Sequence, residues 1–173
     1  MSVLVDDAVW PWHGDRWAHL ASDASVDELH AFANDLGVRR LAFQDDHYDV
    51  SSAGRDAAVA RGAIAVTSRA LVAGLRASGL RVRGRRVRWR DVDPRDPVVV
   101  GALGAVHAHW PHARDASWTT CLWRPREVAL SAVLYAGHPL ADVEVPRAFA
   151  RSAFIVARPE GRVLDIVVSL TVE

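Results

Sequence analysis

The chain has 173 residues, half of them hydrophobic, and its formal net charge at pH 7 is zero. This length suffices for one ordinary hydrophobic core or two small ones. It contains no uninterrupted run of about 18 apolar residues, which excludes a transmembrane helix. The N-terminus reaches Asp6 without a basic leader, so we expect no signal peptide. We therefore expect a soluble, cytoplasmic protein of bacterial type.

Two residue types exclude several classes of chemistry. The single cysteine, Cys121, allows neither an internal disulfide nor a zinc site built from several thiolates. All 21 basic residues are arginines, and arginine stays protonated and forms no Schiff base. Pyridoxal-phosphate chemistry and a nucleotide-binding P-loop both need a lysine and are therefore excluded.

The zero net charge conceals an uneven distribution. Residues 1–80 carry seven arginines and eleven acidic residues, and residues 91–173 carry eight arginines and ten acidic residues. Between them, the segment RVRGRRVRWR at 81–90 holds six arginines and no acidic residue. We call it the Arg-rich segment, and it is the place where a polyanion would dock.

The first 80 residues alternate short apolar runs with helical patterns. SVLVD, RRLAF and AIAV are typical of strands, and helices are predicted over 25–36, capped by Ser25, over RDAAVARG and over RALVAGLRAS. This alternation predicts an α/β fold with a small three- to four-stranded parallel or mixed sheet and flanking helices. The Trp- and Pro-rich stretch 8–20 predicts no regular element. The expected core residues are Leu4, Leu29, Phe32, Leu36, Ile64, Val66, Leu71 and Leu75.

The sequence pattern of the second half predicts an α+β segment. DVDPRDP is typical of a linker, Asp96 and Pro97 open a helix through about His109, and a second helix is predicted over 125–136. The tail FIVARPEGRVLDIVVSLTV predicts a β-hairpin. We therefore divide the chain into an α/β module at 1–92 and an α+β segment at 93–173, either separate or packed as one unit. The apolar terminal strand favours a homodimer over a monomer.

Two clusters of carboxylates and imidazoles follow the first two predicted strands. The first contains Asp6, Asp7 and His19 among several tryptophans, and the second is DDHYD at 45–49, which contains His47. Ligands of such sheets bind beyond the carboxyl ends of the strands, so we expect the clusters to share one site. Carboxylates and imidazoles bind divalent metals and transfer protons.

The leading hypothesis is a metal-dependent hydrolase acting on a small phosphate-containing substrate, with Mg²⁺ or Mn²⁺ as the metal. The predicted site residues are Asp6, Asp7 and Asp49 as metal ligands, His47 or His19 as general base or additional ligand, and Arg55, His13 and Trp12 as substrate-binding residues. A structural alternative is that the tryptophans cover the sheet, the acidic residues cap turns, and Arg55 forms a surface ion pair.

The alternative function is a binding module without chemistry. In it the Arg-rich segment holds nucleic acid or another anion, with Arg83, Arg85, Arg86 and Arg88 on phosphates and Trp89 stacked on a base. These arginines could equally pair with the acidic residues of the preceding module.

Several motifs occur together in the first half: VDDAVWPWHGDRWAHL, DELHAFANDLG, DHYDV, GAIAVTSRALV and LRASGLR. In this order they resemble the bacterial and phage family "domain of unknown function 4031" over about residues 1–82. The resemblance implies that relatives share Asp6, Asp7, His19, His47, Asp49 and Arg55, matched through VDD, AHL and HYD. The wording WPWH around His13 departs from the phage relatives. The family implies no activity, and residues 93–173 resemble no family.

Overall fold

The computed structural model describes residues 2–82, 88–140, 143–150, 152–159 and 161–170. The chain divides into two compact units, Met1–Arg86 and Val87–Glu173, which we call the first and the second unit. The sequence pattern placed a boundary near residue 92. Among the described residues, no helix combines the length and the apolar character that crossing a membrane requires.

The described part of the first unit is a five-stranded mixed sheet with three α-helices. Its strands are β1 (Val3–Val5), β2 (Trp10–Trp12), β3 (Asp15–Ser22), β4 (Tyr48–Ser51) and β5 (Ile64–Ala65), and its helices are α1 (Val26–Asp35), α2 (Ser52–Ala60) and α3 (Ser68–Ala77). β3 is central: β2 and β1 pair with one edge and β4 with the other, all antiparallel. β5 adds to β1 in parallel. The predicted α/β class is confirmed, with five strands instead of three or four.

One face of the central strands packs into a core cluster with α1. Ala18 and Leu20 of β3 and Tyr48 and Val50 of β4 are buried in one core cluster with residues of α1, including Leu29. Successive side chains of a strand point to opposite faces. The face opposite this core therefore carries the intervening residues of β3 and β4, and the candidate site lies there.

The stretch 8–20, predicted to be irregular, forms a β-hairpin. Among the described strands, β2 pairs with β3 alone, and proline is tolerated on such an edge strand, here as Pro11. The turn residues His13 and Gly14 have φ angles of 48° and 78°. Two consecutive positive φ angles are typical of the two-residue turns whose twist matches a hairpin.

Two further details of the first unit differ from the sequence prediction. Arg40–Ala42 is a turn of 3₁₀ helix and not the predicted strand. The prediction failed because three apolar residues are too few for hydrophobic periodicity to distinguish a strand from a helix. In the predicted core, Leu4, Leu29, Leu71 and Leu75 are buried, and Phe32, Leu36 and Val66 pack against the clusters. Ile64 is 49% exposed, because the short edge strand β5 leaves its side chain outside while Ala63 is buried.

In its described residues, the second unit contains a five-stranded antiparallel sheet and one α-helix. Its strands are β6 (Arg90–Asp91), β7 (Trp118–Arg124), β8 (Glu127–Leu134), β9 (Ala153–Arg158) and β10 (Gly161–Ser169), in the order β6-β7-β8-β10-β9, and the helix is α4 (Pro97–His109). Asp96 caps α4, and β9 and β10 form the predicted hairpin. The helix predicted over 125–136 is wrong, since this segment is β8. Both faces of β8 are buried, so its sequence lacks the alternation that identifies a strand.

We predict that Tyr48→Phe lowers the free energy of unfolding by about 1–2 kcal/mol. The Tyr48 hydroxyl lies 2.9 Å from Nδ1 of His30, both side chains are buried, and the substitution removes that hydrogen bond. Urea denaturation followed by circular dichroism measures the change. Tyr135→Phe, at a tyrosine that is 64% exposed, is the matched control and should leave the midpoint in place. Equal stability of the two variants would contradict the prediction.

Candidate metal centre

Two histidines and one aspartate converge on the face of the first sheet that lies opposite the core cluster with α1. Each of His19, His47 and Asp49 offers one donor atom, and the three atoms lie within 4.8 Å of one another. Nε2 of His47 is 3.3 Å from Oδ1 of Asp49, and the rings of His19 and His47 are 5.0 Å apart between centroids. Donor atoms this close make the three residues candidates for binding one cation, whose ligands lie about 2 Å from a transition metal.

Strand register brings these residues together. His19 of β3 is the direct cross-strand partner of Asp49 of β4. His47 precedes Asp49 by two positions and therefore shares its face, since the side-chain period of extended chain is two. The neighbours Ala18, Leu20 and Tyr48 point into the core and hold this register.

A buried carboxylate holds each histidine ring. Oδ2 of Asp6 is 2.9 Å from Nδ1 of His19, while Oδ1 of Asp6 accepts a 2.6 Å hydrogen bond from the backbone N–H of His19. Oδ1 of Asp46 is 2.6 Å from Nδ1 of His47. Asp6 and Asp46 are each 1% exposed.

Both carboxylates are kept ionised by their partners. Burial by itself raises the pKa of Asp6, but hydrogen bonds from the His19 ring, from Ser68 and from the His19 backbone outweigh it, and the pKa lies below its ordinary value. The pKa of Asp46 is lowered in the same way: burial raises it, and the His47 ring, the backbone N–H of Val82 and the charge of Arg81 prevail. Ser68, which hydrogen-bonds Asp6, is the first residue of α3, and Thr67 caps that helix.

These contacts determine which ring nitrogen a metal would use. An ionised carboxylate only accepts hydrogen bonds, so Nδ1 of each neutral ring carries the proton. The lone pair is then on Nε2, the atom that binds a metal when the other nitrogen is held by a carboxylate. Asp6 and Asp46 thus leave Nε2 of His19 and of His47 as the ring atom that could bind a metal.

The two carboxylate oxygens of Asp49, the third donor residue, have different surroundings. Its Oδ2 accepts a hydrogen bond from the side-chain amide of Gln44. Its Oδ1 is buried and has no hydrogen-bond partner among the residues that the structure describes. A buried carboxylate oxygen needs a hydrogen bond or a cation, and this atom faces the His47 ring.

The three predicted metal ligands, Asp6, Asp7 and Asp49, have different contacts in the structure. Of Asp6, Asp7 and Asp49, only Asp49 offers a donor atom to this group. Asp6 orients His19, and the largely exposed carboxylate of Asp7 is 3.0 Å from Arg55. Arg55, on α2, also donates a 2.8 Å hydrogen bond to the backbone oxygen of Asp6. It therefore ties α2 to the end of β1.

The predicted substrate-binding residues Trp12 and His13 lie at the tip of the β2–β3 hairpin. Both are exposed, and the His13 ring packs edge-on against Trp12 at 4.3 Å. Trp10 connects this tip to the histidines: its ring lies 6.3 Å from that of Trp12 and 5.9 Å from that of His19. The tryptophans thus form a surface beside the candidate metal ligands.

The residues of the alternative nucleic-acid site are only partly described. Arg83, Arg85 and Arg86 lie outside the described residues. Arg88 is exposed, and the guanidinium of Arg124 lies over the Trp89 ring, 4.4 Å from its centroid. Arg124 thus covers one face of the ring that was predicted to stack on a base.

Two functional residues were missed by sequence reasoning. Asp46 and Gln44 orient His47 and Asp49, but neither was assigned a role. The available signal was the alternation of polar and apolar residues in AHLA and HYDV, which is typical of two strands. It places His19 on the polar face of one strand and His47 with Asp49 on the polar face of the other. It was obscured because the hairpin was not predicted.

Comparison with known families supports the resemblance found in the sequence. Residues 3–78 match the family model described as "Protein of unknown function (DUF4031)". The matched range contains His19, His47, Asp49 and both orienting carboxylates. No match to this chain was found among curated proteins or among solved structures.

We predict that Asp6→Asn and Asp46→Asn each weaken Zn²⁺ or Mn²⁺ binding by about 10- to 100-fold, because each removes the charge that orients a ligand histidine. Asp7→Asn is the matched control: it removes a carboxylate next to Asp6 that does not contact the histidines, and should bind metal as the wild type does. Isothermal titration calorimetry measures the affinities. A larger loss in Asp7→Asn than in Asp6→Asn would instead support Asp7 as a ligand.

Proposed function

We propose that the first unit holds a mononuclear divalent transition-metal centre that hydrolyses a phosphate-containing substrate. The observation that carries the proposal is the set of His19, His47 and Asp49 within 4.8 Å, with Nδ1 of both histidines engaged by a buried carboxylate. Such pairs of carboxylate and histidine are characteristic of metal sites, because the carboxylate fixes the tautomer and raises the basicity of the ring.

The donor set favours a borderline cation. Two imidazoles and one carboxylate suit Zn²⁺, Mn²⁺ or Fe²⁺, whereas Mg²⁺ prefers oxygen ligands and retains much of its water. Of the two metals expected from the sequence, Mn²⁺ therefore fits better than Mg²⁺, and Zn²⁺ joins it as a candidate.

Three protein ligands leave coordination positions open, which distinguishes catalytic from structural sites. A metal at this position would lower the pKa of a bound water and supply a hydroxide near neutral pH. In this proposal His19 and His47 act as metal ligands, which is one of the two roles that the sequence suggested, and not as general bases.

Two guanidinium groups support an anionic substrate. Arg55 contacts the backbone of Asp6, the residue that orients His19, and Arg81 lies 2.8 Å from Asp46, the residue that orients His47. Each guanidinium thus contacts the aspartate that in turn contacts a candidate ligand histidine. Phosphate esters carry the negative charge that such flanking arginines attract.

The rival is a binding module without chemistry that holds nucleic acid through the Arg-rich segment. It needs no metal, so its ligand affinity would respond to salt and not to a chelator. The turnover of a metal-dependent hydrolase would instead respond to a chelator and not to salt.

We predict that the full chain hydrolyses an activated phosphodiester such as bis(p-nitrophenyl) phosphate only when metal is present. Dialysis against a chelator should abolish turnover, and Zn²⁺ or Mn²⁺ should restore it. His19→Ala, His47→Ala and Asp49→Ala should lose both metal and turnover, since each removes one ligand. His112→Ala, at an exposed histidine of the second unit, is the control and should retain both.

Circular dichroism of each variant separates loss of the site from loss of the fold. Turnover that survives complete removal of the metal would contradict the proposal. So would a folded His47→Ala variant that binds metal with unchanged affinity.

A further inference from the structure

We propose that the substrate of this centre is a phosphate ester with a planar aromatic ring, either a nucleobase or another arene, which stacks on the tryptophans of the β2–β3 hairpin while the phosphate lies at the metal. This inference rests on the proposed function and names its substrate class. The observations behind it come from described residues of the first unit alone.

Three tryptophans lie on the same face of the sheet as His19. Trp17 precedes His19 by two positions on β3, so the two side chains point to the same face. Trp10 of β2 is the direct cross-strand partner of Trp17, and opposed residues of an antiparallel pair share a face. Trp12 follows Trp10 by two positions on β2 and lies on that face as well.

The three rings form one continuous aromatic area, which we call the tryptophan surface. The ring centroids of Trp10, Trp12 and Trp17 are 4.9–6.3 Å apart. The Trp10 ring lies 5.9 Å from the ring of His19, which in turn lies 5.0 Å from the ring of His47. A molecule bound at the metal position would therefore have this surface beside it.

The tryptophan surface is held in place and open to solvent. The indole N–H of Trp17 donates a 2.8 Å hydrogen bond to the backbone oxygen of Trp12, and the two rings meet nearly edge-on, with an interplanar angle of 67°. Trp12 nevertheless remains 50% exposed. Because the rings already have a fixed orientation, a ligand that stacks on them does not have to order them first.

The polar atoms of these indoles favour an arene over a sugar. A sugar ring also packs on indole, but its hydroxyl groups need hydrogen-bond partners. The N–H of Trp17 is already engaged, and Nε1 of Trp10 is buried, with no hydrogen-bond partner among the residues that the structure describes. An arene makes no such demand and gains from tilted indoles, since aromatic rings prefer offset and edge-to-face contacts.

The metal position and the tryptophan surface together define a ligand with a charged end and a flat apolar end. A bound cation would be the largest local charge and would attract the phosphate. The tryptophan surface supplies the apolar part that most small-molecule sites have. Free phosphate, or the ester of a small aliphatic alcohol, would leave the indoles without a contact. The pairing therefore favours an ester whose alcohol carries a ring.

The test is an NMR titration of the zinc-loaded full chain, in which the indole N–H signals report on the rings. The probes are phosphonates, which have no ester bond to hydrolyse. Phenethylphosphonate should bind about 5- to 100-fold more tightly than ethylphosphonate, which corresponds to one stacked ring. It should also bind about 2- to 12-fold more tightly than cyclohexylethylphosphonate, which has a similar apolar area but no π-face.

Variants of the protein locate the ring. Trp12→Ala should bind phenethylphosphonate and ethylphosphonate almost equally, and Trp12→Phe should recover most of the preference. The Trp17 hydrogen bond persists in both variants, because the backbone of Trp12 accepts it. Tyr135→Ala, at an exposed aromatic residue of the second unit, is the control and should keep the full preference. An unchanged preference in Trp12→Ala would overturn the inference.

A second pair of probes distinguishes the sources of the ring. Uridine monophosphate is compared with ribose phosphate, which lacks the base. A preference for uridine monophosphate that Trp12→Ala loses would assign the ring to a nucleobase, and a preference confined to phenethylphosphonate would assign it to another arene. Ribose phosphate that binds the wild type more tightly than phenethylphosphonate does would overturn the inference in favour of a sugar.

Zinc affinity and phosphodiester turnover, measured on the same samples, separate this inference from the proposed function. Trp12→Ala should bind Zn²⁺ as the wild type does. Intact zinc binding and turnover without any preference for the phenyl probe would overturn the substrate assignment alone. A preference for the phenyl probe in a protein that takes up no metal would overturn the proposed function, while supporting the tryptophan surface as a site for aromatic rings.

Discussion

The candidate site depends on one cross-strand pair, His19 of β3 opposite Asp49 of β4. A slip of this pairing by one residue would turn the whole set of side chains to the other face and bury His19 in place of Leu20. The buried residues Ala18, Leu20, Tyr48 and Val50 oppose such a slip, because their apolar surface would be exposed. The hydrophobic core on one face of the sheet therefore fixes the geometry of the polar group on the other.

Asp6 and Asp46 extend this constraint beyond the ligands. An ionised carboxylate that is 1% exposed is costly unless hydrogen bonds and nearby cations compensate for the lost water. Here the compensation comes from the two histidine rings, from backbone amides and from Arg81, so the carboxylates are stable only while the rings keep their orientation. The rings and the carboxylates thus hold one another in the arrangement that a metal would need, before any metal binds.

Part of this arrangement could be predicted from the sequence. The two clusters of carboxylates and imidazoles contain the histidines and aspartates that the structure brings together. The α/β class follows from the alternation of strands and helices. Their division into ligands and orienting groups could not be predicted, because it depends on the register of a hairpin whose turn is His13–Gly14 and whose edge strand contains proline. The segment 125–136 was taken for a helix because β8 is apolar on both faces, which removes the period of two. In both cases the decisive information was which strand lies next to which.

X-ray absorption spectroscopy of the zinc-loaded full chain tests the central claim most directly, because it identifies the atoms around the metal. The account predicts the back-scattering of two imidazole rings, with Zn–N distances of about 2.0–2.1 Å, together with oxygen ligands. His19→Ala should reduce the signal to one ring. A shell of oxygen atoms alone, as expected for a site built from Asp6, Asp7 and Asp49, would contradict the account.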